Sequence, residues 1–159
     1  MNRFERLLRV LVEGGVEFMI IGGVAANHHG SARATFDLDI LYGRSRDNIQ
    51  RLVRALAPLE PYLRGAPPGL PFRFDALTIE KGLNFAFDTT AGPLDCLGEV
   101  TGLGRYDAVV HRSHDAELYG VHCRFIDLEA LIEAKRAAGR PKDFEAIAEL
   151  EAIRDEQQR

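Results

Sequence analysis

The chain has 159 residues, of which 46% are hydrophobic and 28% charged, so its length and composition are those of one globular domain with a real core. The net charge of -4 argues against broad, charge-driven wrapping of nucleic acid, while a local basic face stays compatible with it. The two cysteines, Cys96 and Cys123, are too few for a disulfide framework and lack metal-ligand spacing. We therefore expect two reduced, buried thiols.

The first residues, MNRFERLLRVLVEGG, are charged and amphipathic, without the apolar core or the cleavage site of a signal peptide. The longest apolar run, FMIIGGVAA, is far too short to span a bilayer. We therefore expect a cytoplasmic protein that has no membrane partner.

The first part of the chain alternates between predicted helices and strands. Apolar residues recur at helical spacing over residues 2–13, and Gly14 and Gly15 end that helix. The elements that follow are a strand over 16–21, a short helix over 22–30, a second strand over 35–42 and an amphipathic helix over 45–59. Prolines then predict an irregular connection over residues 58–71.

The second part begins with two neighbouring strands and ends in helices. The segments 83–90 and 93–100 alternate like paired strands joined by a turn at residues 91–92, and residues 120–127 form another candidate strand. The last two elements are a helix that opens at the N-cap residue Asp127 and ends at Gly139, and a helix over 142–159 that has Pro141 in its first turn.

The order of these elements predicts an α/β (α+β) fold with a mixed sheet, flanking helices and a C-terminal helical pair. We expect one domain over residues 1–159. Within it, an α/β core over 1–126 would carry the C-terminal helices of 127–159 on its surface.

Two acids, Asp37 and Asp39, lie inside the second predicted strand. Residues two apart in a strand share a face, so both carboxylates would point one way, while Phe36, Leu38 and Ile40 would take the other face. Two such acids repel each other unless a cation lies between them. Carboxylate oxygens are the ligands that Mg²⁺ prefers, so the pair predicts a metal site.

A third acid on an adjacent strand would complete a pair of metal sites of the kind used for in-line phosphoryl displacement. Asp95 is the natural candidate because apolar residues flank it in a predicted strand, and Asp88 and Glu99 are competing candidates. Upstream, Gly22 and Gly23 stand where a strand turns into a helix, so the backbone there could approach a phosphate closely.

The chain resembles the polymerase β-type nucleotidyltransferase superfamily, in which a glycine pair opens a helix and an Asp-x-Asp strand follows. It is similar above all to the small bacterial branch that includes the abortive-infection type E toxins. That branch carries an early motif GG-x-A…HG…R-x-T-x-D-x-D and a late motif K…A-G-R-P-K-D. The matching residues here are Gly22, Gly23, Val24, Ala25, His29, Gly30, Arg33, Thr35, Asp37 and Asp39, and later Lys135 and Ala138 to Asp143.

The resemblance implies a nucleotidyltransferase fold and transfer of a nucleoside monophosphate from an NTP to an acceptor hydroxyl, with release of pyrophosphate. Asp37, Asp39 and Asp95 would hold two Mg²⁺ or Mn²⁺ ions, and Asp95 would help to deprotonate the attacking hydroxyl. Lys135 would be a further catalytic residue. The residues implied to bind the nucleotide are Gly22, Gly23, Arg33, Thr35, Arg140, Lys142 and Asp143.

The toxin resemblance favours an RNA acceptor such as tRNA and a cognate antitoxin as protein partner, while a protein side chain or a small hydroxylated molecule stays open as acceptor. The chain has Gly23 where many transferases place a serine that touches phosphate. It is also short. A catalytically silent nucleotide-binding or regulatory module of the same fold is therefore the alternative, followed by an interaction partner whose acids are structural.

Several residues also have a purely structural interpretation. Arg33 could simply form a salt bridge with the paired acids. Arg140 and Lys142 could complement a helix dipole instead of a phosphate. Of the histidines on the short helix, we expect one to face the core and the other to cap a backbone group. His111 and His114 have metal-like spacing, but without a second cluster they predict an ordinary surface loop.

Overall fold

The computed structural model describes residues 2–159, which form a mixed sheet with helices packed against it. The helices are α1 (Arg3–Glu13), α2 (Gly22–His29), α3 (Arg46–Leu56), α4 (Ala76–Lys81), α5 (Tyr106–Val109), α6 (Leu128–Ala138) and α7 (Pro141–Gln157). The strands are β1 (Phe18–Ile21), β2 (Leu38–Tyr42), β3 (Tyr62–Leu63), β4 (Phe85–Thr89), β5 (Gly92–Leu97), β6 (Ser113–Leu118) and β7 (Val121–Ile126).

The strand order in the sheet is β3-β4-β5-β2-β1-β7-β6. Strand β1 pairs antiparallel with β2, whereas β2 pairs parallel with β5 and β1 pairs parallel with β7. The hairpins β4–β5 and β6–β7 are antiparallel. The predicted mixed sheet with flanking helices is confirmed.

The central strands are fixed by a buried asparagine as well as by apolar packing. All four residues of β1 are buried, as the continuous apolar run FMII requires of a strand covered on both faces. Asn48, in the first turn of α3, accepts a hydrogen bond from Glu17 N at 2.7 Å and donates to the carbonyls of Glu17 and Gly43. Because these backbone groups precede β1 and follow β2, one side chain holds both strands in place.

The structure corrects the predicted boundaries around the acids. Strand β2 begins at Leu38 and not at residue 35, so Phe36 lies outside the sheet and its side chain is 71% exposed. The expectation that Phe36 shares the buried face with Leu38 and Ile40 is wrong, whereas both of the latter are buried. The chain enters the sheet only at Leu38, so Asp37, which was expected inside the strand, also precedes it.

Two segments that were expected to be irregular contain strands. Residues 58–71 include β3, which pairs antiparallel with β4, so Tyr62 lies opposite Asp88. The segment of His111 and His114 was predicted as a loop, but β6 begins at Ser113 and pairs along its whole length with β7. His114 is therefore a strand residue.

The C-terminal helices α6 and α7 pack against each other, and both contact α2. Among residues 2–159, neither cysteine forms a disulfide, and both thiols are buried as expected. Burial raises the pKa of Cys123 to about 11, so this thiol is unreactive at neutral pH. No helix in the described part of the chain is long and apolar enough to cross a membrane.

Candidate active site

Three carboxylates meet at one edge of the central strands. In the parallel pairing of β2 with β5, Asp39 lies directly beside Asp95. Asp37, immediately before β2, brings its carboxylate to the same place, and the three residues offer oxygens that all lie within 4.8 Å of one another. The structure thus brings together the acids that the sequence singled out. Of the competing candidates, Asp88 lies on β4 and forms an ion pair with Arg64.

The environment of Asp39 favours a bound cation. Burial, a hydrogen bond shared with Asp95 and repulsion from Asp95 and Asp37 raise the pKa of Asp39 to about 7, against the opposing effect of Arg64. Its Oδ1 atom is buried and has no hydrogen-bond partner among the described residues. A set of carboxylate oxygens with an unpartnered buried member is the donor set that suits Mg²⁺ or Mn²⁺, so these residues fit a divalent cation.

Arg64 is the site residue that sequence reasoning missed. Its Nη1 atom lies 2.8 Å from Oδ1 of Asp95 and 3.6 Å from Oδ2 of Asp37. Its Nη2 atom donates to the carbonyl of Phe87 at 2.8 Å. The local sequence does not indicate that Arg64 reaches the acids, because its position depends on the pairing of β3 with β4.

Arg33, in contrast, does not pair with the acids. Its guanidinium lies 3.6 Å from a carboxylate oxygen of Glu145 and 3.6 Å from one of Glu149, both on α7. The salt bridge that was considered for Arg33 is therefore formed by Arg64.

The two glycines are required by their neighbours. Gly22 has a φ of +65°, and a Cβ atom there would lie 2.1 Å from Oδ2 of Asp39. A Cβ atom on Gly23 would lie 2.5 Å from Oγ1 of Thr35. The backbone at the start of α2 thus packs directly on Asp39 and Thr35, and the hydroxyl of Thr35 fills the space beside residue 23 where a larger side chain would stand.

The late motif brings positive charge to the same place. Lys135, near the end of α6, borders the cavities on either side of Asp39. Burial lowers the pKa of Lys135, and the carboxylate of Asp143 opposes that shift. A partly desolvated ammonium is bound more strongly by an anion than a solvated one is.

Asp143 holds Arg140 in position. Its side chain is buried, with 1% of the residue exposed, and accepts hydrogen bonds from Arg140 N at 3.1 Å, Nε at 2.7 Å and Nη2 at 3.1 Å. These bonds keep the pKa of Asp143 below its usual value. The first turn of α7 is thereby capped, and the guanidinium of Arg140 is fixed beside Lys135 at the cavity wall.

Two cavities adjoin the acids and share Gly22, Asp39, Lys135 and Arg140 in their walls. The larger has a volume of about 440 Å³, and the smaller about 350 Å³. The apolar residues that line the larger cavity are Ile21, Leu97, Val100, Ile126, Leu131, Ala134 and Ala138, and Asn84, Glu99 and Thr101 lie among them. The smaller one contains the three acids with Gly23, Arg33, Thr35 and Lys142.

The sequence matches no known family model and no curated protein. Solved structures do match. The lincosamide antibiotic adenylyltransferase LnuA, with lincomycin bound, superposes with a TM-score of 0.61 at 15% identity, over 95% of this chain and 96% of that chain. ANT(2'')-Ia in complex with adenylyl-2''-tobramycin gives a TM-score of 0.58 at 16% identity, over 96% and 92% of the two chains.

This chain has a nucleotidyltransferase fold. The solution structure of the antibiotic-resistance factor ANT(2'')-Ia agrees, with a TM-score of 0.56 at 17% identity over 98% of this chain and 89% of that chain. The predicted fold is confirmed. The narrower resemblance to the toxin branch stays a prediction.

Proposed function

We propose that this chain is a metal-dependent nucleotidyltransferase that moves a nucleoside monophosphate from an NTP to an acceptor hydroxyl and releases pyrophosphate. The observation that carries the proposal is the pairing of Asp39 with Asp95 across two parallel strands, with Asp37 beside them, on this fold. In the reaction the acceptor oxygen forms a bond to the α-phosphorus while the bond from that phosphorus to the pyrophosphate oxygen breaks.

In this proposal the acids hold the metal and move a proton. Asp37 and Asp39 would each contribute oxygens to two Mg²⁺ or Mn²⁺ ions, and Asp95 would complete the second site. Ions bound there would supply positive charge to the phosphoryl group that is transferred. Asp95 would also help to deprotonate the attacking hydroxyl. Its ion pair with Arg64 stabilises the carboxylate, so Asp95 becomes a stronger proton acceptor once Arg64 moves away.

The smaller cavity fits the triphosphate. It brings the start of α2, where the N-cap residue Ile21 offers no side-chain cap, together with Arg33, Lys135, Arg140 and Lys142. Free N–H groups at a helix start and several cations are the usual partners of phosphate oxygens. Thr35 adds a hydroxyl beside Gly23. In this assignment Asp143 acts through Arg140 and does not contact the nucleotide.

The acceptor we propose is a hydroxyl of RNA, such as the end of a tRNA, in a toxin that a cognate antitoxin would neutralise. The support is the toxin-like motif pair. A small hydroxylated molecule is the second candidate, favoured by the lincomycin on LnuA and the adenylyl-2''-tobramycin on ANT(2'')-Ia. A catalytically silent module is favoured by one observation, the ion pair of Arg64 with Asp95 inside the acid cluster.

The test is calorimetric titration with each of the four NTPs, with and without Mg²⁺, followed by incorporation of labelled nucleotide into total RNA or into a panel of hydroxylated small molecules. The proposal expects binding and labelling by the wild-type chain, and neither by Asp37→Ala nor by the Asp37→Ala, Asp39→Ala double variant. Asp115→Ala, an exposed acid on β6, is the matched control. Equal labelling by Asp37→Ala would refute the metal site, and Mg²⁺-dependent NTP binding without any labelling would favour the silent module.

A further inference from the structure

A second cluster of metal-ligating side chains lies outside the acid site. It is formed by His28 at the end of α2, His114 on β6 and Asp127 at the start of α6. Nε2 of His28 lies 3.0 Å from Nε2 of His114, and Nδ1 of His114 lies 2.7 Å from Oδ1 of Asp127. None of these residues lines either of the cavities beside the acids.

The side chain of Asp127 forms a hydrogen bond with His114 and does not cap its own helix. It occupies the N-cap position of α6, as the sequence predicts, yet its side chain forms no capping hydrogen bond in the described structure. A carboxylate can only accept, so the neutral ring of His114 carries its proton on Nδ1 and presents the lone pair of Nε2 toward His28. A carboxylate that fixes the tautomer of an imidazole in this way is the usual outer support of a metal-bound histidine.

The ring of His28 is held in place, and its surroundings favour the neutral form. His28 stacks on Phe125 with 4.0 Å between ring centroids, and the centroids of His28 and His114 are 5.2 Å apart. Burial and the neighbouring histidines His29 and His114 lower the pKa of His28. A neutral imidazole is the form that binds metal, and His28 needs only to move its remaining proton from Nε2 to Nδ1 to offer a second lone pair.

The separation of the two nitrogens suits one ion. Zn–N bonds of about 2.0–2.1 Å in tetrahedral geometry place two ligand nitrogens about 3.3 Å apart. The observed 3.0 Å is a hydrogen bond between the two nitrogens, which lie near the line that joins the ring centroids. To bind one ion, the nitrogens must separate by a few tenths of an ångström and both rings must tilt away from that line. His28 is exposed and His114 half-buried, so water can complete the coordination. His29 is not part of the proposed pair, and its Nε2 atom donates to the carbonyl of Ile126 at 2.7 Å.

We propose that His28 and His114, with His114 oriented by Asp127, form a binding site for a transition-metal dication of the Zn²⁺ class. Imidazole nitrogens select such ions, whereas the carboxylates of Asp37, Asp39 and Asp95 select Mg²⁺ or Mn²⁺. The two sites therefore take different ions. An ion bound by His28 and His114 would join the end of α2 to β6 and, through Asp127, to the start of α6.

The test is Zn²⁺ titration of the untagged chain in competition with a chromophoric chelator, with Co²⁺ absorption as a probe of coordination. We expect at least a tenfold loss of Zn²⁺ affinity in His28→Ala and in His114→Ala, and a 10–100-fold loss in Asp127→Asn, the usual effect of removing an outer support. His122→Ala, whose exposed ring lies elsewhere on β7, is the matched control and should bind like the wild-type chain.

To exclude Zn²⁺ binding at the acid site, the titration is repeated with a variant that also carries Asp37→Asn and Asp39→Asn. The Zn²⁺ affinity should persist in this variant. Circular dichroism of every variant shows that a loss of binding is not a loss of fold. If His28→Ala and His114→Ala bind Zn²⁺ like the wild-type chain, or if the wild-type chain binds none, the cluster is only a hydrogen-bonded pair and the proposal is wrong. Neither result bears on the proposed nucleotidyl transfer.

Discussion

The guanidinium of Arg64 and the carboxylate of Asp95 lie 2.8 Å apart, so the acid cluster contains an internal cation. Arg64 also reaches Asp37 and Asp88, at 3.6 and 3.3 Å. One positive charge therefore offsets part of the repulsion among the acids before any metal binds. A divalent cation at Asp95 has to share that carboxylate with Arg64 or displace it.

Replacing Arg64 by glutamine should change metal binding and stability in opposite directions. Without the competing guanidinium, we expect Mn²⁺ to bind several-fold more tightly. Without divalent cations, we expect the chain to lose about 1–2 kcal/mol of unfolding free energy, a value reduced for the partial exposure of the pair. Calorimetric Mn²⁺ titration and thermal unfolding measure the two effects. Arg64→Lys, which keeps the charge, should lie between, and unchanged Mn²⁺ affinity in Arg64→Gln would show that the ion pair does not compete.

The raised pKa of Asp39 makes stability depend on pH in the absence of divalent cations. The folded chain keeps the proton of Asp39 up to a pKa of about 7, whereas the unfolded chain releases it near the ordinary value of 3.8. The unfolded state therefore gains from ionisation as the pH rises between these two values, and the folded state loses stability over that window. Above pH 7 the loss is complete.

Asp39→Asn should abolish this dependence. We expect the variant to be more stable than the wild-type chain at pH 8 by about 1–3 kcal/mol without divalent cations, and to gain little at pH 4. Urea unfolding at pH 4, 6 and 8, with Asp115→Asn as control, measures the difference. If the difference in unfolding free energy between the wild-type chain and Asp39→Asn is the same at pH 8 as at pH 4, the result would contradict the burial of this carboxyl group.

Gly22 should not tolerate alanine. Its φ of +65° strains a residue with a Cβ atom by about 1–2 kcal/mol, and that Cβ would lie 2.1 Å from Oδ2 of Asp39. We expect Gly22→Ala to displace Asp39 and to weaken Mg²⁺-dependent NTP binding at least tenfold. Gly65→Ala is the matched control, because Gly65 has a φ of +79° with nothing within 4 Å of the added atom. NTP titration of both variants separates the clash from the backbone strain, and equal effects would argue against the clash.

Lys135 should contribute to NTP binding by its charge. Since it borders both cavities in a partly buried position, we expect Lys135→Met to weaken NTP binding about tenfold. Its neighbour Arg136 pairs with Glu151 at the surface, so Arg136→Met is the control and should bind NTP like the wild-type chain. Fluorescence titration with a labelled NTP analogue measures the NTP affinity of each of the two variants. Identical binding by the two variants would remove Lys135 from the site.

What could be predicted from the sequence is what depends on neighbours in the chain. The amphipathic period of α1 and α3, the apolar run of β1 and the spacing of Asp37 and Asp39 are local signals, and each identified its element. Asp95 was found because apolar residues flank it in a predicted strand, and the structure pairs that strand with β2.

What could not be predicted depends on which strands lie side by side. The position of Arg64 follows from a two-residue strand, too short to have a period. Strand β6 lies at the edge of the sheet and has no fully buried residue, so its alternation is weak and is carried only by Ala116 and Leu118. For the same reason the meeting of His114 with His28 could not be foreseen.

The parallel pairing of β2 with β5 also determines when, during synthesis of the chain, the site can form. Asp39 meets Asp95 only after everything between them has been synthesised, and Lys135 and Arg140 follow later still. A chain growing on the ribosome therefore holds its acids well before it holds Lys135, Arg140 and Lys142, three of the cations that border the smaller cavity. Under the proposed function, the surface for NTP is completed only when α6 and α7 dock, so the nascent chain would gain NTP binding only after these two helices have emerged.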